Sequence, residues 1–338
     1  MKRYPHKKFA IASLAAISAA ALMLSGCAGA ETPQKKSATE GGLILDISGP
    51  LSDPFFGATK AGSDAAAKDL GLNYQYVAGK DFTDIVNVYK KLTQAAIGRK
   101  PAAIVIGNYF PDALSPLIKQ AVADGIPVVV TNSGRTTWES LGAIGFVGED
   151  PEAMGAEAGK QAAAAGAKVG LCVNTVQGNP TLDARCAGYL GALKEAGGTG
   201  TVLQIASEDG QNNAKIQQVV AGALKANPQI NDIFSLGAGP AVASIAAAKQ
   251  VGRPQISIGT CDLSAAVLKS IKSGELLYSV DQQPFLQGYY GLQIAAQYLK
   301  YGVKPAGAVN TGPNVITKQN VQKVLAVASN FPGIRGAN

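Results

Sequence analysis

The chain has 338 residues, with 30 Lys and Arg against 23 Asp and Glu, a formal net charge of +7 and a single histidine, His6. Hydrophobic residues make up 47% and there are 40 Gly, which is enough apolar material for two domains built from short turns and small-residue packing. His6 lies in a segment that reads as a removable leader. The remaining chain then has no histidine, and Ser-His or Cys-His catalysis and His-ligated metals are excluded.

Lys2, Arg3, Lys7 and Lys8 precede an apolar run from Phe9 to Leu24, which ends in Leu24-Ser25-Gly26-Cys27. A basic head, a short alanine-dominated stretch and small residues at its end describe an export signal over residues 1–26 rather than a membrane span. The Leu-Ser-Gly-Cys ending resembles the bacterial lipobox. That implies lipidation of Cys27, an exported protein held at the extracytoplasmic face of a membrane, and a polar tether over residues 27–41. Four of the Lys and Arg and none of the Asp and Glu lie in the leader, leaving 26 against 23, a net charge of +3. No dense basic block remains, so nucleic acid is not an expected partner.

From Gly42 onward short apolar runs alternate with amphipathic segments. Strands are predicted at 43–47, 74–77, 102–106, 128–131, 144–147, 169–173, 201–206, 232–236, 256–260 and 278–281. Helices are predicted near 57–70, 83–98, 112–124, 151–165, 182–196, 211–226, 239–251, 263–273 and 285–301. In the second helix Ile85, Val88, Leu92 and Ala95 recur at helical spacing behind Thr83 or Asp84 as a cap. Unbroken apolar strands separated by helices imply parallel sheets covered on both faces. Ten strands are many for one such sheet, so the expected fold class is α/β: two Rossmann-like three-layer α/β/α lobes joined by a multi-strand hinge. The glycine- and proline-containing stretches at 145–151, 282–284 and 307–312 are the expected crossings. They place residues 42–149 plus 283–311 in the first lobe and 150–282 plus 312–338 in the second. Cys172 falls in a predicted strand and Cys186 in the next helix; such neighbours pack together, so a Cys172–Cys186 bridge is favoured over two free thiols, with Cys261 left unpaired.

In open parallel sheets ligands bind beyond the carboxyl ends of the strands. The residues there are Asp53 with Phe55 and Phe56, then Asn108-Tyr109-Phe110, Asn132-Ser133, Glu149-Asp150, Asn179 with Asp183, Gly237, Asp262 and Asp281-Gln282-Gln283. Singly, such residues cap helices or make turns. Together they form an inventory of acceptors, amides and ring faces suited to a ligand with many hydroxyls. Of the two phenylalanines, one is expected to plug the core and one to meet a ligand. There is no phosphate loop, dinucleotide fingerprint, GxSxG elbow or EF-hand loop, so no cofactor and no metal is expected.

With these residues in order, the chain resembles the type I periplasmic binding proteins of the ribose/galactose sugar-binding class, the receptors of ABC importers. The resemblance rests on Ser52-Asp-Pro-Phe-Phe56, Gly125-Ile-Pro-Val-Val129, Asp150–Gly159, Ala184–Gly188, Gly259-Thr-Cys-Asp262 and Asp281-Gln-Gln-Pro284. It implies that Asp53, Asn132, Asp262 and Gln282 bond ligand hydroxyls while Phe55 and Phe56 pack on its ring. Asn108, Glu149, Asp183 and Gly237 complete the expected site. Departures from the family pattern are Asp183 and Ser133 where relatives carry arginines, Gly237 for an asparagine, and Cys261 for a phenylalanine. Loss of both arginines points away from ribose itself, toward another sugar, a polyol or an amine-bearing ligand. The resemblance further implies a monomeric, non-enzymatic receptor that closes on its ligand and delivers it to a membrane permease with its ATPase. The alternatives are a sensor feeding a chemoreceptor or sensor kinase, and an exported carboxylate glycosidase; a lac-repressor-type regulator would need a helix-turn-helix where the export signal stands.

Overall fold

The computed structural model describes residues 42–336; the export signal, Cys27 and the tether lie outside the described residues. The first sheet is built from β1 (Ile44–Ile47), β2 (Tyr74–Val77), β3 (Ala103–Ile106), β4 (Val128–Thr131), β5 (Gly145–Gly148) and the late β11 (Val309–Asn310). Their order is β11-β5-β4-β3-β1-β2, every pair parallel, with Ile44 beside both Tyr74 and Ala103. The second contains β6 (Val169–Asn174), β7 (Thr199–Gln204), β8 (Asp232–Ser235), β9 (Ser257–Cys261), β10 (Tyr278–Asp281) and β12 (Asn314–Thr317). Its order, β12-β10-β9-β8-β6-β7, repeats the first, except that β12 runs antiparallel to β10. In each sheet the strand order reverses beside the first strand, at β1/β3 and at β6/β8, which is where open α/β sheets form a binding crevice.

Several helices begin at a strand end with the same local signal, a polar cap followed by proline. Asp53 precedes α1 (Pro54–Leu70), Asp150 precedes α4 (Pro151–Ala164) and Asn179 precedes α5 (Pro180–Glu195). Each cap accepts a backbone N–H of the first turn, at 2.9 Å from Phe55, 3.0 Å from Ala153 and 3.0 Å from Thr181. Proline fits the next position because its missing N–H would be unpaired there anyway. So α1 starts at Pro54 and not near Gly57, and Phe55 and Phe56 belong to its first turn rather than to a loop. α5 likewise begins at Pro180, two residues earlier than the periodicity indicated.

The remaining helices are α2 (Ile85–Gly98), α3 (Pro111–Ala123), α6 (Asn213–Ala226), α7 (Ala238–Gln250), α8 (Ala265–Ser273), α9 (Pro284–Tyr301) and α10 (Val321–Asn330). In the first lobe α2 and α3 cover one sheet face, with Ile47, Ile106 and Val130 beneath them, while α1 and α9 cover the other over Ile44, Val105 and Val129. In the second, α6, α7, α8 and α10 cover one face, and α4 and α5 enclose Tyr189, Phe234 and Tyr278 on the other. The paired helices approach at glycines: a Cβ on Gly62 of α1 would lie 1.9 Å from the Phe285 carbonyl of α9, and one on Gly155 of α4 would lie 1.9 Å from the Arg185 carbonyl of α5. Cys172 of β6 and Cys186 of α5 form a disulfide, with Cα atoms 5.6 Å apart, and Cys261 is a buried free thiol. The chain passes between the lobes after β5, after β10 and between β11 and β12. β11, β12 and α10 fall outside the elements predicted from sequence; of these, β11 has only two residues, too few to carry a periodic signal.

A candidate ligand cleft between the lobes

The carboxyl ends of both sheets face a cleft of about 470 Å³. On the first-lobe side, the start of α1 supplies Asp53, Phe55 and Phe56, α2 supplies Ile85 and Tyr89, and the turn after β3 supplies Tyr109 and Phe110. These rings pack as one group. Phe55 and Phe56 meet edge to face with centroids 5.0 Å apart, Phe56 meets Tyr109 at 6.1 Å, and Tyr89 lies between Tyr109 and Phe110 at 5.0 and 6.2 Å. Phe55 and Phe56 are both buried members of the first-lobe core and both line the cleft. Each ring thus belongs both to the core and to the cleft wall, with no division of the two places between them.

The second-lobe side mixes polar groups with apolar ones, the latter including Val176, Leu182, Leu236, Pro240 and Val242. Thr175, Asn179, Thr181 and Arg185 come from the end of β6 and the cleft face of α5, Gly237 from the turn after β8, and Asp262 and Ser264 from the turn after β9. At the hinge Gln282 joins the two sides. Its Nε2 donates to Asp262 Oδ1 at 2.6 Å, and its Oε1 accepts from Asn132 Nδ2 at 2.9 Å and from Gln287 Nε2 at 3.1 Å. Asn132 and Asp262 follow β4 and β9, which hold equivalent places in the two sheets. Both sit in the left-handed region, with φ of 59° and 69°. Asn and Asp tolerate that conformation better than other non-glycine residues. The bend turns each side chain into the cleft where a continuing extended chain would run past it.

Arg185, buried on α5, donates through Nε and Nη2 to Glu149 Oε1 at 3.0 and 2.7 Å, and its Nη1 lies 3.6 Å from Cys261 Sγ. Burial works against its charge, but Glu149, Cys261 and Asp262 outweigh that and raise its pKa, so the guanidinium stays protonated. Burial pushes Glu149 up, and Arg185 pulls against it without cancelling the shift. Asp262 is likewise raised by burial, less the opposing pull of Arg185 and Gln282. Asp53 is raised to about 6: burial dominates, the Phe55 amide opposes, and Asp262 across the cleft adds repulsion. One Asp53 oxygen caps α1, which leaves the other to accept from a ligand. The lobes also touch directly, through Ser133 Oγ and Thr181 Oγ1 at 2.7 Å, and through Arg135 Nε and Asp150 Oδ2 at 3.5 Å. Among the described residues no group of three or more His, Cys, Asp or Glu is placed to hold a metal ion.

Of the ten residues singled out from sequence, Asp53, Phe55, Phe56, Asn132, Gly237, Asp262 and Gln282 line this cleft. Three do not. Asn108 is buried behind the aromatic wall, where its Nδ2 donates to Ser115 and Thr137 at 3.0 and 3.1 Å. Glu149 sits behind Arg185. Asp183 faces away, accepting from Asn174 Nδ2 at 2.8 Å and Gln204 Nε2 at 3.4 Å. The assignment of Asp183 to the arginine position was an error of register on the helix. With α5 starting at Pro180, Thr181 and Arg185 are one turn apart on the cleft face and Asp183 is on the opposite side. One arginine is therefore present. The Asn179-Pro180 cap signature followed by residues at i and i+4 was the signal that could have found it. Tyr89 and Phe82 also line the cleft without having been chosen.

A two-lobed α/β molecule with three crossings and a cleft at both switch points has the architecture of a two-lobed ligand-binding protein. The profile of the periplasmic binding protein domain matches residues 47–304, and the chain belongs to that family. A carbohydrate transporter from Acidothermus cellulolyticus 11B, solved in complex with myo-inositol, superposes with a TM-score of 0.79 at 33% identity over 87% of this chain and 100% of that one. Among characterised sequences, the D-ribose/D-allose-binding protein of Pseudomonas aeruginosa is 27% identical over 88% of this chain and 96% of its own length. The xylose/arabinose-binding protein of Sulfolobus acidocaldarius is 25% identical over 86% of this chain and 74% of its own. These relatives are a carbohydrate transporter and two sugar-binding proteins, and the chain, as a member of the periplasmic binding protein family, is a binding protein rather than an enzyme.

Proposed function

We propose that this protein is the extracytoplasmic receptor of an ABC importer for a neutral sugar or cyclic polyol, and that it captures its ligand by closing its two lobes. The observation that carries this reading is the pairing of an aromatic wall, led by Phe55 and Phe56, with a hydrogen-bonding wall of Asp53, Asn132, Arg185, Asp262 and Gln282. A polyhydroxylated ring has C–H faces for the first and an equatorial girdle of hydroxyls for the second. The carboxylates accept from hydroxyls and Arg185 donates to a ring or hydroxyl oxygen, in charge-assisted bonds stronger than neutral ones. The myo-inositol complex of the Acidothermus relative supports a cyclitol as the first ligand to try. Closure follows from linkage: a ligand that contacts both walls binds the closed state more tightly and shifts the population toward it.

The rest of the reading is organisational. Residues 42–149 with 283–311 form one lobe and 150–282 with 312–338 the other; Cys27 carries the lipid that holds a monomeric receptor near its permease and ATPase. A thermal-shift and calorimetric screen of pentoses, hexoses, cyclitols, linear polyols and amino sugars tests the core claim, with a rise in Tm expected for at least one cyclic polyol or sugar. No stabilisation by any of them overturns it. Labelling of the expressed protein with a fatty-acid analogue, lost in Cys27→Ala, tests the anchor.

A further inference from the structure

The cleft does not end at the aromatic wall. Past Phe82 it opens into an outer groove of about 530 Å³, bordered by Asp81 and Thr83 ahead of α2 and by Glu208 and Asn212 ahead of α6. Ser52, Phe82, Gln211 and Asn213 line both spaces, so the groove continues the cleft rather than standing apart from it. Its two banks come from different lobes.

Three features point to what it takes. The first is room. The inner cleft of about 470 Å³ is continued by the outer groove of about 530 Å³, which a ligand confined to the inner cleft leaves unfilled. The second is Phe82. It is half-exposed at the junction of the two spaces, with its centroid 6.4 Å from Phe56, so the aromatic wall extends outward as a further ring face. An apolar C–H face laid on it removes that surface from water. The third is polarity and sign. The banks offer carboxylate, hydroxyl and amide groups, with Asp81 and Glu208 supplying two carboxylates and no Lys or Arg on the lining. Hydroxyl donors suit those groups; a phosphate or carboxylate would be repelled.

We propose that the outer groove is a second sugar subsite and that the physiological ligand has two rings, a glycosyl-polyol or disaccharide without anionic substituents. Its first ring lies between the walls of the inner cleft and its second on Phe82. This rests on the polyhydroxyl reading of the inner cleft. Because the banks belong to opposite lobes, the second ring adds contacts made together only in the closed form, and so adds to closure as well as to affinity.

The test is calorimetric titration of the folded protein with single-ring polyols and sugars, the same rings carrying one neutral glycosyl group, and the same rings carrying a phosphate. A neutral two-ring ligand is expected to bind at least about tenfold more tightly than its single-ring parent, and the phosphorylated ring more weakly than that parent. Thr83→Trp, which fills the groove, and Glu208→Ala, which removes an acceptor without altering packing, are expected to erase or reduce the gain while leaving single-ring affinity within about twofold. The subsite is disproved if single rings bind but every two-ring ligand is equal or weaker, or if the gain survives Thr83→Trp. If neither single-ring nor two-ring ligands bind, the reading of the inner cleft has failed and this one with it.

Discussion

The two lobes are assembled alike and line the cleft differently. Each repeats one strand order, and each packs a helix pair through facing glycines, Gly62 with Gly288 in the first and Gly155 with Gly188 in the second. At each of these a Cβ would fall within about 2 Å of a backbone carbonyl of the opposing helix. At the cleft the likeness stops. The first lobe presents Phe55, Phe56, Tyr89, Tyr109 and Phe110, while the second presents Asn179, Thr181, Arg185 and Asp262. A duplicated architecture fixes where the walls stand; the rings lining the cleft all come from the first lobe, while its polar groups come from both, Asp53 and Asn132 from the first and Thr181, Arg185 and Asp262 from the second. The division has an energetic side. The aromatic wall is part of its lobe's core, so the atoms that line the cleft also carry stability. The polar wall depends on a buried ion pair that burial alone would penalise.

Substitutions on the two walls separate these roles, and the largest effect is expected from the second. Arg185→Met leaves Glu149 buried without its partner, so stability should fall by about 3–5 kcal/mol and ligand binding should be lost. Adding Glu149→Gln should restore most of the Tm, read by thermal melting, but not the affinity, read by calorimetry. Recovery of affinity in the double variant would show that Arg185 only balances charge. On the first wall, Phe55→Ala should cost about 3–5 kcal/mol as a core truncation, whereas Phe55→Leu keeps apolar volume. Leu is therefore expected to weaken ligand binding about tenfold with a much smaller change in Tm.

A third test touches the second lobe away from the ligand. Replacing Cys172 and Cys186 together by Ala opens a loop closed by residues 14 apart and should lower stability by about 3 kcal/mol. Affinity of the folded fraction should not change.

Two pH effects follow, one for binding and one for folding. Burial raises Asp53 to about 6, and ligand hydroxyls donating to it would favour its ionised form. The bound protein then holds fewer protons than the free one below that point. Affinity should be steady above pH 7 and fall as pH drops through 6, up to about tenfold per unit, and Asp53→Asn should flatten the profile while weakening binding.

Folding runs the other way. Asp46, buried beneath α1 with Ser63 donating at 2.7 Å, is raised by burial to about 7. The native state keeps a proton that the unfolded chain releases near pH 4, so this group's contribution is most favourable below that value and is lost as pH rises through 7. Asp232 of the second lobe, raised to about 6 by burial against the opposing bond from Tyr189, acts in the same sense over a narrower window. Tm should therefore be higher at pH 5 than at pH 8, and Asp46→Asn should narrow the gap more than Asp232→Asn. The reverse order would mean that the second lobe limits stability.

Much of the site was legible because strand ends can be counted. Asp53, Asn132 and Asp262 immediately follow apolar runs, and in a parallel sheet that position faces the crevice whatever the details of packing. Helix-borne residues were not legible in that way. Arg185 and Tyr89 reach the cleft because of where their helices start and how they are rotated, and an offset of two residues turns a side chain to the far side. Asn108 and Glu149 met the strand-end rule but lie outside the cleft lining, where the Asn108 amide nitrogen donates to Ser115 and Thr137 and one Glu149 oxygen accepts from Arg185.

By itself the sequence determined the alternation of strand and helix, hence two parallel sheets, and the cap-and-proline signals that start helices at the cleft. These depend on local backbone preference and on burial of both sheet faces, which a one-dimensional pattern records. Tertiary structure alone decided that the two-residue β11 closes one sheet edge, that Phe55 and Phe56 serve core and cleft together, and that Arg185, not Asp183, lines the cleft. Those outcomes depend on how closely helices approach at their glycines and on which charges burial brings together, and both are properties of residues far apart in the chain.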